Sequence, residues 1–165
     1  MADRPILFRD DMVAAILDGR KDVTRRVGPT WAGVQPGTRL WVREAHAILE
    51  RCCWPDLPHR TTQVLVDPYE DPGPTMPVWC FYRAGFDRTH PRWRPSIHMP
   101  RWASRLTLEV VSVERESSSL VAGFLSEDEA RREGFASRKE FLAAWLTMHP
   151  DYAGVVHRVE FRRLP

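Results

Sequence analysis

The chain has 165 residues, of which 43% are hydrophobic and 28% charged, with a net charge of +2. That size favours one domain that buries its own core, and the composition is that of a globular rather than a disordered chain. No apolar run approaches the roughly 18 residues that span a bilayer, and the opening MADRPILFRDD has early acids and no long apolar core, so a cytoplasmic protein with no membrane partner is expected, with a monomer favoured.

Residues 6–8 read as a short strand. Asp10 or Asp11 then caps a helix whose Met12, Val13, Ile16 and Leu17 share one face, and Gly19 suits its stop. The chain leaves that helix into 19–26, GRKDVTRR, which reads as a basic loop fixed at its root. Pro36-Gly37 marks a turn, and 38–49 reads as one strand. Residues 51–77 are rich in proline and polar side chains and look like an insertion, with 64–66 a short strand. Residues 78–84 form another strand. Residues 85–104 form a long loop rich in arginine, proline and tryptophan, of a length that tends to be functional. Residues 105–116 read as a long strand whose change of phase predicts a bulge near Val110-Val111. Ser126 with Glu129 and Ser137 with Glu140 are capping boxes for helices over 126–133 and 137–149. Phe141, Trp145 and Met148 give the second an apolar stripe. Residues 155–164 alternate as a closing strand. About six strands and three helices predict an α+β chain, built as a small mixed barrel with helices packed on it.

Lysine occurs only at Lys21 and Lys139, so the basic character is almost all arginine. Arginine forks suit phosphates and base edges and stack on rings, although a GC-rich genome also yields many arginines. Clustering favours a site: Arg20, Arg25 and Arg26 surround Lys21. Nearby cations make a lysine easier to deprotonate, and a neutral amine is a base toward a hydroxyl such as that of Thr24. The plain alternative is an exposed basic turn. In 93–105, WRPSIHMPRWASR, the residues Arg94, His98, Arg101 and Arg105 interleave with Trp93 and Trp102, with Ser96 between them. Such mixing suits a stacked base with its phosphate, while the plain alternative places the tryptophans in the core. Glu44 and Glu133 are the acids placed to polarise a base or to neutralise a lysine. The three cysteines have no Cys-x-x-Cys spacing. Cys52, Cys53, His46 and His59 match no regular zinc module, so neither metal nor cofactor is expected.

Taken together, GRKDVTRR after a helix, PGTRLWVREA, WRPSIHMPRWASR, and LSEDEARREGF followed by a helix and VVHRVEF resemble the ASCH family. The resemblance covers most of the chain apart from 51–77. It implies a PUA-like fold, a β-barrel with flanking helices, associated with RNA or modified nucleotides. The smallest characterised members of that family remove the acetyl group from N4-acetylcytidine. By that similarity Thr24 is the nucleophile, Lys21 its base and Glu133 a proton-handling partner. Arg20, Arg25, Arg26, Glu44, Trp93, Ser96, His98, Arg101 and Trp102 are the candidate substrate contacts. Some sixty extra residues of loop between Ala45 and Ser104 set this chain apart from those small enzymes. The expected activity is hydrolysis of an N4-acylated cytidine-type nucleoside or nucleotide. The alternatives are a non-catalytic binder of RNA or of modified nucleotides, and a single-strand ribonuclease.

Overall fold

The computed structural model describes residues 3–50, 63–66, 78–84 and 92–165. Among them are eight strands: β1 (Arg4–Leu7), β2 (Val23–Val27), β3 (Arg39–Arg43), β4 (His46–Glu50), β5 (Gln63–Val66), β6 (Val78–Tyr82), β7 (Thr107–Ser117) and β8 (Val155–Arg163). Four helices accompany them: α1 (Asp10–Leu17), α2 (Ser118–Phe124), α3 (Glu127–Arg132) and α4 (Arg138–Met148). The class is α+β. The strands form a five-stranded sheet in the order β1-β3-β7-β8-β2 and a three-stranded sheet in the order β4-β6-β5. A closed barrel is not among the described pairings.

Three expectations change. The segment expected as a basic loop contains β2, an outer strand antiparallel to β8, with Val23 opposite Glu160 and Val27 opposite Val156. Its strand character comes from pairing with a partner 129 to 137 residues away in sequence. The strand expected over 38–49 is two strands in different sheets, β3 and β4, divided at Glu44-Ala45. The short helix α2 was not expected. In addition, Met148 is 57% exposed, so the apolar stripe of α4 rests on Phe141 and Trp145. The expected bulge is present, since the β7–β8 register shifts between Val110 and Ser112.

The chain divides into two compact units, one of Met1–Arg4, Ala15–Leu40 and Leu108–Pro165, the other of Pro5–Ala14 and Trp41–Thr107. In the first, Val121, Leu125, Ala130, Phe141, Trp145 and Val156 form the core under α2, α3 and α4. Ser126 and Ser137 start α3 and α4 by accepting hydrogen bonds from the backbone of Glu129 and Glu140, at 3.2 and 3.3 Å. In the second, Cys80, Tyr82, Met99 and Ala103 form a core with Trp41, Ile48 and Trp102 packed against it. No helix of the described residues is long and apolar enough to cross a membrane.

Candidate functional site

Gly19 has a left-handed φ of 72°, which only glycine adopts readily, and it ends α1. The backbones of Arg20 and Lys21 then donate to the Ala15 carbonyl, at 2.9 and 3.0 Å. Asp22 stitches the turn down: its amide donates to the Arg132 carbonyl, its carbonyl accepts from Phe161, and its carboxylate accepts from the Arg132 guanidinium. The path of the chain into β2 is therefore fixed by three separate elements.

That path buries Lys21, whose side chain is only 2% exposed. Its Nζ donates to the Val23 carbonyl at 2.6 Å, to the Glu133 carbonyl at 2.6 Å and to Glu133 Oε2 at 3.0 Å. Glu133 is the C-terminal cap of α3, so the ammonium sits on the carbonyl end of that helix, where a cation is favoured. Gly134, with φ 90°, turns the chain away and leaves that carbonyl open to Lys21. Burial pushes Lys21 below the usual lysine range; Glu133 acts in the opposite sense, and the cations Arg26 and Arg25 add to the lowering.

Arg25 completes the grip on Glu133. Its Nη1 donates to Glu133 Oε1 at 3.2 Å, its Nε to Glu116 Oε2 at 2.8 Å and its Nη2 to Glu129 Oε2 at 2.7 Å. Arg158, directly opposite Arg25 across β2 and β8, also holds Glu129, at 2.9 and 2.8 Å. Hydrogen bonds from Arg158, with those from Arg25, hold the Glu129 carboxyl down at about 2, against some resistance from burial. Burial opposes the charge of Arg25, but Glu116 and Glu129 outweigh it and the guanidinium binds its proton more tightly than usual. A cleft of ≈ 450 Å³ opens over this network, walled by Leu120 and Phe124.

Thr24 is 3% exposed and occupies the next position of β2 after Val23. Strand alternation sends its side chain, with that of Arg26, to the face opposite Arg25. The structure thus joins Lys21 and Glu133 directly and sets Thr24 on the other side of an outer strand. Arg26 lies over the Trp31 ring, 5.8 Å from its centroid. Arg20 is at the surface and pairs with Asp18 at 3.1 Å.

The remaining candidates lie in the second unit. Glu44 is 1% exposed and accepts from Arg105 Nε and Nη2, at 2.9 and 2.8 Å. Burial raises the Glu44 carboxyl, and Arg105 opposes that rise. Arg105 also covers the Tyr82 ring at 4.2 Å, and the Tyr82 hydroxyl donates to the Ala103 carbonyl. Residues Ser96–His98 and Arg101–Ala103 are 3-10 turns, each opened by a proline. Trp102 packs on the core, while Trp93 is half-buried and His98 exposed. Arg101 stands over Trp41, 5.9 Å from its centroid, with Arg43 over the same ring at 5.3 Å. Sequence reasoning missed Trp41 and Arg43, although RLWVR carried the signal: alternation puts Arg39, Trp41 and Arg43 on one face. It also missed Glu116, Glu129 and Arg158, which nothing local distinguishes from surface charges. Among the described residues no group of three or more His, Cys, Asp or Glu is placed to hold a metal; Cys52, Cys53 and His59 lie outside them.

No protein-family model matches the chain, and no curated protein matches it. A solved structure of similar fold is the crystal structure of hypothetical protein PH0355, with a TM-score of 0.51 and 10% identity, covering 99% of this chain and 100% of that one. The likeness shows the fold alone.

Proposed function

We propose that the chain is an amidohydrolase that removes an acyl group from an N4-acylated cytidine-type nucleoside or nucleotide, on a PUA-like scaffold of the ASCH kind. The observation that carries this reading is the buried Lys21, with its basicity lowered, held 3.0 Å from Glu133. A lysine in that setting supplies a neutral amine nearer to working pH than an exposed one does. Its Nζ lies 2.6 Å from the Val23 carbonyl, which belongs to the peptide bond leading into Thr24. The reading requires Lys21 to serve Thr24 around the outer edge of β2, the last strand of the sheet among the described residues.

In this scheme Thr24 Oγ attacks the acyl carbon while its proton passes to the Lys21 amine. The C–N bond breaks, and the proton is delivered to the departing cytosine amine. Water then hydrolyses the threonyl ester, releasing the carboxylic acid and restoring the hydroxyl. Glu133 orients the Lys21 amine and steadies it when it carries the proton.

The test is release of acetate and cytidine from N4-acetylcytidine by purified protein. Lys21→Ala and Thr24→Val should each lower kcat/KM by about a hundredfold or more, the scale of acid–base and nucleophilic assistance. Undiminished turnover in Thr24→Val would remove threonine from the mechanism. A protein that leaves every N4-acylcytidine intact is no such hydrolase.

A further inference from the structure

The face of the sheet that carries Thr24 also carries a transverse row of basic side chains. Arg26 on β2 is directly opposite His157 on β8, and His157 is directly opposite Arg115 on β7. Residues paired in this way point to the same side of the sheet. The row therefore crosses three strands on one face, opposite to that of Arg158, Glu114 and Glu116, while Glu133 still favours the charge of Arg26.

His157 supplies an independent observation. It is 5% exposed, and neither ring nitrogen has a hydrogen-bond partner among the described residues. Buried polar atoms in native proteins are almost always paired, and an anion seated on the row would pair these. An imidazole with both nitrogens unpaired, on a strand whose two neighbours carry arginine at the same register, matches an oxyanion. Arg26 is steadied by the Trp31 ring, which fixes one end of the row. Arg115 is exposed and opens the other end to solvent. Thr24 precedes Arg26 by two residues, one pleat repeat or about 7 Å along β2.

We propose that Arg26, His157 and Arg115 form an oxyanion site that takes the phosphate of a nucleotide substrate. That the row binds an anion stands on its own geometry; that the anion belongs to a nucleotide rests on the reading of Lys21, Thr24 and Glu133. A phosphate has enough acceptors for both forks and an imidazole N–H at once. The site would make the preferred substrate a phosphorylated one, either a mononucleotide or a nucleotide within a strand, and the chemistry recognised is the same in both.

The experiment is a titration of the full chain with inorganic phosphate, cytidine 5′-monophosphate and the dinucleotide CpC, followed through the backbone amides of β8 and the His157 ring. Saturable shifts centred on β8 are expected, weakened about tenfold in Arg115→Ala and in His157→Gln, the scale of one charge-assisted hydrogen bond. Tighter binding of the monophosphate than of CpC identifies a mononucleotide, and the reverse order identifies a strand phosphate. The absence of saturable shifts at β8, or equal affinity in both variants, overturns the site. Arg115 lies at the surface, so its variant does not depend on refolding of the interior. If N4-acetylcytidine is not hydrolysed while phosphate still saturates the row, the hydrolase reading fails and the oxyanion site stands.

Discussion

Replacing Glu129 with glutamine removes the charge that lets Arg25 and Arg158 face each other across β2 and β8. Three short hydrogen bonds to its carboxylate, at 2.7, 2.9 and 2.8 Å, are broken or weakened. The two guanidinium side chains are 3% and 8% exposed, so water cannot replace the lost partner. The Glu129 carboxyl is held at about 2 against an ordinary 4.5. At 1.36 kcal/mol per unit, that difference corresponds to about 3 kcal/mol at neutral pH, which solvent screening of the partly exposed carboxylate reduces to about 2 kcal/mol of stability. For a chain of this length the melting temperature should fall on the order of 10 °C. The sign with pH follows from the depressed value. Between about 4.5 and 2 the unfolded chain binds the proton and the folded chain does not. The contribution is thus complete above pH 5 and fades as pH falls through about 2. Glutamine binds no proton, so the gap between parent and variant should close over that window. Urea unfolding of both proteins at pH 7, 5, 3.5 and 2.5 measures it. A loss below about 1 kcal/mol at pH 7, or a gap unchanged at pH 2.5, refutes the reasoning.

Lysine occurs only at positions 21 and 139, so labelled lysine gives a simple spectrum that Lys139→Arg assigns; the Lys21 signal should titrate below the usual lysine range, and an ordinary midpoint would show that burial does not govern it. Glu44→Gln should destabilise the fold by about 3 kcal/mol, because Arg105 is left buried without its counter-charge, and a change under about 1 kcal/mol in denaturant unfolding would contradict that. Cys80 is fully buried and its thiol is pushed up to about 11, mainly by burial, so iodoacetamide at pH 8 should label it only after unfolding, as peptide mapping would report. Gly19→Ala should cost about 1 kcal/mol from the left-handed backbone alone, since a Cβ there meets nothing within 4 Å.

The elements that the sequence discloses are those with local causes. Ser126 and Ser137 mark helix starts because capping is settled within four residues, and the bulge in β7 shows as a change of phase. The capping-box reading of Glu129 is only half right. Its backbone takes the Ser126 cap, but its carboxylate turns to Arg25 and Arg158. β2 stayed hidden because its arginines look like a solvated loop until their partners arrive from Glu116, 91 residues on, and Glu133, 108 residues on. Lys21 and Glu133 were legible as a pair through family resemblance, and the structure joins them. The placement of Thr24 relative to Arg25 follows only once 23–27 is known to be a strand, since a loop has no alternating faces.

The Arg25–Glu129–Arg158 cluster also determines how β2 joins the sheet. Most strands find their register through a hydrophobic face. β2 has little of one, with valine at its ends and Thr-Arg-Arg between them. A slip of one residue against β8 would turn Arg25 away from every carboxylate it now meets. A slip of two would leave Glu129 with a single guanidinium. The alignment of this outer strand is therefore written in charge, and α3 acts as its template. The docked helix, together with Glu116 on β7, makes the native pairing better than its neighbours.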